Sequence, residues 1–179
     1  MKEIEVITGC MFAGKTTELI RRLNYANEHY ILIKPIIDNR DHGNIISTHN
    51  GLKHKAIRVN KLSEIFDIIE NINLIGVDEA QFFSSDIIED LNKLSSKVGR
   101  IILAGLEKDY LDKSFGSMKN ILQMSSSITR LMANCNNCNK KNAIHSHRKD
   151  MTNVNQLGIG NAKTYEALCT ECMNKYRPI

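Results

Sequence analysis

The sequence predicts an α/β fold, a parallel sheet flanked by helices, with a small metal-pinned segment at its C-terminal end. Three observations carry this. The runs EIEVIT at 3–8, YILIK at 30–34, LIGVD at 74–78 and RIILAG at 100–105 have the continuous apolar character of strands buried on both faces of a parallel sheet. Helical apolar stripes alternate with them, as right-handed βαβ units require. After about residue 133 periodicity fades into Asn, Lys, Cys and Gly, a composition that needs a staple other than hydrophobic burial.

Residues 3–8 form the first strand and lead into a Gly-containing turn at 9–14. With Glu3 and Glu5 in so short an apolar stretch, residues 1–8 do not read as a secretory signal. Leu19, Ile20, Leu23, Ala26 and Tyr30 recur at helical spacing and predict a helix over roughly 15–28. YILIK is the second strand, stopped by Pro35. From 45 to 59 polar and apolar residues alternate around Asn50-Gly51, a hairpin signal. Leu62, Ile65, Ile68 and Ile69 predict another helix. Ile87, Ile88, Leu91 and Leu94 predict the next, with Ser84 or Ser85 as N-cap and Asp86 in its first turn.

The 179 residues, 42% hydrophobic and 25% charged, suit one domain with a small appendage and a core that needs no disulfides. A net charge of +4, gathered into no long run, gives only weak support for nucleic acid, which is not expected as a partner, but suits phosphate-bearing ligands. No stretch approaches the ~20 apolar residues of a membrane span. The expected compartment is therefore the cytoplasm. There, the two Cys-x-x-Cys pairs among the five cysteines read as metal ligands before disulfides.

Gly9-Cys10-Met11-Phe12-Ala13-Gly14-Lys15-Thr16 fits the P-loop pattern at every fixed position, between a predicted strand and a predicted helix. Its glycines let backbone N–H groups turn onto phosphate oxygens, and the helix N-terminus adds partial positive charge. Lys15 would bridge β- and γ-phosphates, and Thr16 would ligate Mg²⁺. The sheet is accordingly expected to be of the P-loop NTPase type. Asp78-Glu79 closes the LIGVD strand, where ligands of open α/β sheets bind. Asp78 reads as the Walker-B acid on Mg²⁺, and Glu79 as a general base for the group that attacks the γ-phosphate. Without a P-loop the same pair would read as solvated carboxylates.

Cys135, Cys138, Cys169 and Cys172 are spaced C-x2-C-x30-C-x2-C, two knuckles that suit a tetrahedral zinc site. Four thiolates leave no open position, so the metal is expected to be structural. On this reading it supports the tail and not the P-loop, and Cys10 is a packing residue. His145 and His147 in the tail, and His49 and His54 in the hairpin, read as surface or loop residues. Lys140-Lys141 and Arg148-Lys149 read as solvated loop charge.

Together these features resemble the thymidine kinases of the cytosolic, zinc-containing class. GCMFAGKTT is similar to that family's P-loop, IKPIIDNRD to its Asp-x-Arg segment and DEAQFF to its Walker-B strand end. AGLEKDYLDKSFGSM resembles its base-pocket segment and IGNAKTYEALC its C-terminal loop, so the likeness runs over roughly residues 3 to 176. It implies transfer of the γ-phosphate of ATP to the 5′-hydroxyl of thymidine, and of deoxyuridine, with Mg²⁺ and structural Zn²⁺. Glu79 would be the catalytic base. Residues 9–16, Asp38, Arg40, Asp78 and Gln81 would contact ATP, with Asp38 also holding the sugar 3′-hydroxyl. Met11, Phe82, Leu106, Tyr110 and Phe115 would wall the base. Gln156, Leu157, Gly158, Ile159 and Gly160, through their backbones, would form a lid with the Tyr165 ring. The resemblance further implies a P-loop domain over 1–133, a zinc and lid domain over 134–179, a homotetramer and feedback by dTTP. Three positions depart from the family's usual pattern: Asn161 in the lid, Thr170 after the third cysteine, and Ser146 near the base's 5-substituent.

Rival readings remain at this level. A nucleoside monophosphate kinase would carry a zinc-bearing lid mid-chain. A GTPase would carry Asn-Lys-x-Asp and, in place of Asp78-Glu-Ala-Gln, Asp-x-x-Gly. A zinc-ribbon nucleic-acid motor would want a basic, aromatic-interleaved tail.

Overall fold

The computed structural model describes residues 3–38, 45–47, 53–149 and 163–176, with only the backbone described for 45–47 and Lys53. The chain runs β1 (Glu3–Gly9), α1 (Lys15–Tyr25), β2 (Tyr30–Pro35), β3 (Ile45–Ser47), β4 (Lys53–Lys55), β5 (Ile57–Val59), β6 (Leu74–Val77), α2 (Ile87–Lys97), β7 (Arg100–Gly105), α3 (Met118–Met124) and β8 (Ser127–Leu131). It closes with β9 (His145–Arg148), β10 (Tyr165–Leu168) and the single turn α4 (Thr170–Met173). Six strands form one sheet in the order β5-β2-β6-β7-β1-β8, and every pairing in it is parallel. The α/β class read from the sequence is what the chain adopts.

Strand periodicity divides the core into two layers. Val6, Ile33, Ile75, Val77, Ile101 and Leu103 pack on one side of the sheet with Ile87, Leu91 and Leu94 of α2 and Met118 and Ile121 of α3. Their neighbours Ile7, Leu32, Leu74, Ile102 and Ala104 pack on the other side with Leu19, Ile20 and Leu23 of α1. Gly76 belongs to the α1 side, where a β-carbon would come within 2.6 Å of Leu23 Cδ1. Glu5 is a buried carboxylate in β1. It accepts from Arg22 Nη1 of α1 at 2.7 Å and pairs with Arg100 of β7, tying a helix and a neighbouring strand to the same carboxylate.

Several boundaries differ from expectation. α1 stops at Tyr25, and Asn27 takes a left-handed φ of 52°. Pro35 ends β2 from inside it, because β6 pairs only as far as Ile33 and Pro35 needs no N–H there. Leu62–Ile65 is a 3-10 turn and not an α-helix. The bonds Phe66 N–H to Ser63 O, Ile68 N–H to Ile65 O and Ile72 N–H to Ile69 O continue its i+3 pattern. That spacing still buries Leu62, Ile65 and Ile69, but it leaves Ile68 54% exposed. Asp86, not Ser84 or Ser85, is the N-cap of α2, and its carboxylate meets Lys61 Nζ at 2.6 Å instead of capping. β3 and β4 pair antiparallel, as a hairpin requires, while Asn50-Gly51 lies outside the described residues.

The tail has more order than its composition suggested. β9 and β10 pair antiparallel, with Tyr165 opposite Arg148 and Leu168 opposite His145. Ala133 bridges to Ala143, and Asn136 both donates its N–H to Ala167 O and accepts from Ala167 N, each at 2.8 Å. A third apolar cluster joins Cys135, Ala143, Ala167, Leu168, Cys169, Cys172 and Met173 to Cys10, with Phe12 and Ala13 against it. The tail therefore packs on the loop that follows β1. Among the described residues, no helix is long and apolar enough to cross a membrane.

Two outcomes test this packing. Gly76→Ala must push Leu23 aside, so urea unfolding should show a loss of about 1–3 kcal/mol; unchanged stability would mean that α1 sits more loosely on β6. The guanidinium of Arg21, joined by Arg22 and opposed by partial burial, holds the Glu18 carboxyl at about 2, against an ordinary 4.5. A depressed carboxylate stabilises the fold above its unfolded pKa, and that contribution is lost as pH falls through the folded one. Between pH 4.5 and 2, therefore, the Tm of Glu18→Gln should fall less steeply than that of the wild type. Parallel curves would refute the pairing.

Candidate functional site

The carboxyl ends of β1, β6 and β7 meet at one edge of the sheet, and the chemistry-bearing residues gather there. β1 ends at Gly9, whose φ is 145° and where a β-carbon would come within 2.3 Å of the Leu131 carbonyl oxygen, so no side chain fits. The loop turns through Phe12 at a φ of 65° and Gly14 at 84°, then enters α1 without a side-chain cap. Lys15 reaches back to donate to Cys10 O at 2.8 Å. The first amides of a helix have no partner within it, and with an ammonium folded over the loop they make a shape that suits an anion.

Asp78 follows β6, and its N–H donates to Ile33 O of β2 at 2.8 Å. Its carboxylate accepts from Thr16 Oγ1 at 2.9 and 3.2 Å. The hydroxyl and carboxylate expected to share Mg²⁺ are thus already adjacent, and an oxygen set of this kind suits a hard cation. Glu79, only 9% exposed, sits in a left-handed conformation at φ 52°, a strained placement for a non-glycine residue. Gln81 Nε2 donates to Glu79 Oε2 at 2.5 Å, and Gln81 Oε1 accepts from Leu106 N–H at 2.9 Å. Gln81 is therefore a buried bridge that orients Glu79 from the end of β7. Gly116 lets the segment pass over it, since a β-carbon there would come within 2.2 Å of Gln81 O.

Asp38 is buried, and Lys34 Nζ lies 3.9 Å from its carboxylate. Lys34 is fully buried and one step beyond the Ile33–Val77 pair, beside Asp78. No motif singles it out in the sequence, although a lysine closing an apolar strand is the available signal. Arg40 and residues 156–160 lie outside the described residues. Phe82 and Phe115 meet edge to face at 5.5 Å, and Leu106, Tyr110, Phe115 and Tyr165 are all buried. Met11 donates its N–H to Ser146 Oγ at 3.0 Å. Cys10 is buried, donates to Ala143 O at 3.2 Å, and has its thiol pKa pushed up by burial despite nearby Lys15, as suits a packing residue.

β9 overturns three expectations. Ser146 and Arg148 form its buried face, so Arg148 is not solvated loop charge. Its guanidinium lies over the rings of Tyr110 and Tyr165. The opposite face carries His145 and His147, which are half-buried strand residues. His145 Nδ1 pairs with Asp112 Oδ1 at 2.9 Å and its Nε2 with Thr170 Oγ1 at 3.1 Å. His147 Nδ1 pairs with Glu166 Oε1 at 2.9 Å and stacks on Tyr176.

Cys135, Cys138, Cys169 and Cys172 bring their sulfurs within 4.8 Å of one another. A tetrahedron with metal–sulfur bonds of about 2.3 Å has sulfurs about 3.8 Å apart. Cys138 and Cys169 show that separation, 3.8 Å. Burial opposes charge on Cys135, yet the N–H groups of Cys138, Cys169 and Asn137 hold its pKa down to about 6. Amides already aimed at a sulfur are what a thiolate ligand needs. The four cysteines can therefore hold a structural metal ion, with no position left open.

Among solved structures, domain III of the replication initiation protein DnaA from Thermotoga maritima aligns at 15% identity and a TM-score of 0.44, covering 72% of this chain and 54% of that one. The chain thus spans about half the length of that solved chain. The thymidine kinase family matches over residues 2–173, from the start of the first strand to the turn that carries the fourth cysteine. With nearly the whole chain covered, the loop 9–16, the acid pair and the cysteine set included, the chain belongs to the thymidine kinase family.

Proposed function

We propose that the protein is an ATP-dependent thymidine kinase that transfers the γ-phosphate of ATP to the 5′-hydroxyl of thymidine, and of deoxyuridine, giving ADP and the 5′-monophosphate. The observation that carries this is the Glu79 carboxylate, fixed by Gln81 beside the Asp78–Thr16 pair at the mouth of the P-loop. Phosphoryl transfer needs positioning and charge stabilisation more than covalent chemistry. Residues 9–16 would cradle the triphosphate, with Lys15 leaving the Cys10 carbonyl for the phosphates. Mg²⁺, held by Thr16 and Asp78, would neutralise charge on the transferred group. Glu79 takes the proton of the 5′-hydroxyl as it attacks, a role worth about 10²- to 10⁴-fold.

Asp38, already beside Lys34, accepts a hydrogen bond from the sugar 3′-hydroxyl. Met11, Phe82, Leu106, Tyr110, Phe115 and Tyr165 enclose the base and keep water from the phosphate. The family resemblance adds Arg40 near the phosphates, the 156–160 backbone as lid, a division at 133/134, a homotetramer, dTTP as feedback inhibitor and the cytoplasm as compartment. Four thiolates with no hard oxygen ligand favour zinc at the cysteine site. The direct test follows ADP release from purified protein with thymidine, with thymidine monophosphate, with single-stranded DNA and with no acceptor. Release that depends on thymidine supports the reading, and release that depends on the monophosphate refutes it.

Glu79→Gln should lower kcat by about 10²-fold or more while the ATP affinity changes little. Near-normal turnover would remove Glu79 from the reaction. The cysteine site gives a second outcome. Because its apolar cluster includes Cys10, Phe12 and Ala13, the Cys169→Ser/Cys172→Ser double variant should lose its metal and weaken ATP and thymidine binding together. Calorimetric titration with each ligand, run beside metal analysis, reads this; ATP affinity at the wild-type value in a metal-free variant would show that the P-loop does not depend on the tail.

A further inference from the structure

Arg148 is 6% exposed, although an arginine ordinarily keeps its guanidinium in water. Its Cζ lies 5.3 Å from the ring centroid of Tyr110 and 5.9 Å from that of Tyr165. The two tyrosines are buried and come from different parts of the chain. Tyr110 lies in the segment after β7, whose tight turn is held by Asp109 Oδ1 accepting from the N–H groups of Leu111 and Lys113. Tyr165 opens β10 directly opposite Arg148. Burial raises the Tyr165 pKa, Arg148 opposes that rise, and Tyr110 and Asp109 add to it, so all four groups share one field. Cation–π attraction strengthens when the cation is desolvated, and here one planar cation serves two rings.

We infer that Arg148 is a positioning residue for the nucleoside: it joins Tyr110 of the sheet-bearing part to Tyr165 of the cysteine-bearing part and so sets the width of the slot for the pyrimidine base. This rests on the thymidine kinase reading above. Ser146, two residues earlier on the same face, meets the Met11 amide, so β9 addresses the base slot and the P-loop with one row of side chains. Arg148 acts on the base through the tyrosines and has no part in moving the phosphate. Its loss should therefore appear in nucleoside binding and not in turnover.

The test is steady-state kinetics of Arg148→Met and Arg148→Gln, which remove the charge, and Arg148→Lys, which keeps a cation. The neutral variants should raise the thymidine KM about tenfold or more, with kcat and the ATP KM within about twofold, and Arg148→Lys should recover part of the loss. The chain has no Trp and five Tyr, so the near-ultraviolet circular dichroism band reports tyrosines. That band should shrink in the neutral variants while metal content and far-ultraviolet signal stay at the wild-type level. An unchanged thymidine KM in a wild-type background that does phosphorylate thymidine overturns this inference alone. Parallel rises in both KM values, or loss of fold and metal in both neutral variants, would assign Arg148 to structure only and overturn it as well. A wild type inactive on thymidine would instead remove the underlying functional reading.

Discussion

The convergence of Cys135, Cys138, Cys169 and Cys172 is the constraint on which the C-terminal part depends. Little in that segment could pay for ordering by burial alone, since its inner face is built from alanines, Ser146 and Arg148 beside a few larger apolar groups. Four sulfurs drawn together close a long loop, bring β9 against β10, and set the segment on the P-loop through Cys10, Phe12 and Ala13. A cysteine cluster remote from residues 9–16 in sequence thus becomes a wall of that loop in space.

The sheet supplies the other half of the site through geometry that parallel strands impose. Because β1, β6 and β7 run side by side in the same direction, Gly9, Asp78 and Leu106 emerge at one edge. The backbone after Asp78 then departs from ordinary conformations. Glu79 takes a left-handed φ, and Gln81 spans from its carboxylate to the Leu106 amide. Strain of this kind persists only where surrounding contacts over-determine it. At Gly116 a β-carbon would run into the Gln81 carbonyl and at Gly105 into its side-chain oxygen, so two glycines outside residues 9–16 contribute to the placement of the acid.

β9 shows how a site can be built from residues that look like surface. The sequence His-Ser-His-Arg has no apolar alternation, yet Ser146 and Arg148 point inward and the two histidines are each held by a carboxylate. Pairing with β10 places Arg148 against Tyr165, and the 107–116 segment brings Tyr110 to the same cation. Asp112, paired with His145, fastens that segment to the turn that carries Thr170. Polar contacts thus join the 107–116 segment to the cysteine-bearing part on both faces of one strand.

The sequence by itself determined the parallel α/β class, and it marked the P-loop pattern, the acid pair at the end of LIGVD and four cysteines able to hold a metal ion. Each of these rests on local chemistry: continuous apolar strands, glycine at strained φ, a carboxylate at a strand end, thiols at knuckle spacing. It also carried the family resemblance, since DEAQFF, KSFG and the paired knuckles are contiguous strings. Only the tertiary structure decided that Leu62–Ile65 is a 3-10 turn, because an i+3 spacing serves that turn and an α-helix alike. It alone decided that Gln81 orients Glu79, that Lys34 lies buried beside Asp38, and that Arg148 lies over two tyrosine rings. Such placements depend on where the chain turns and on which strands pair, and a polar residue's burial depends on the partner the fold delivers to it.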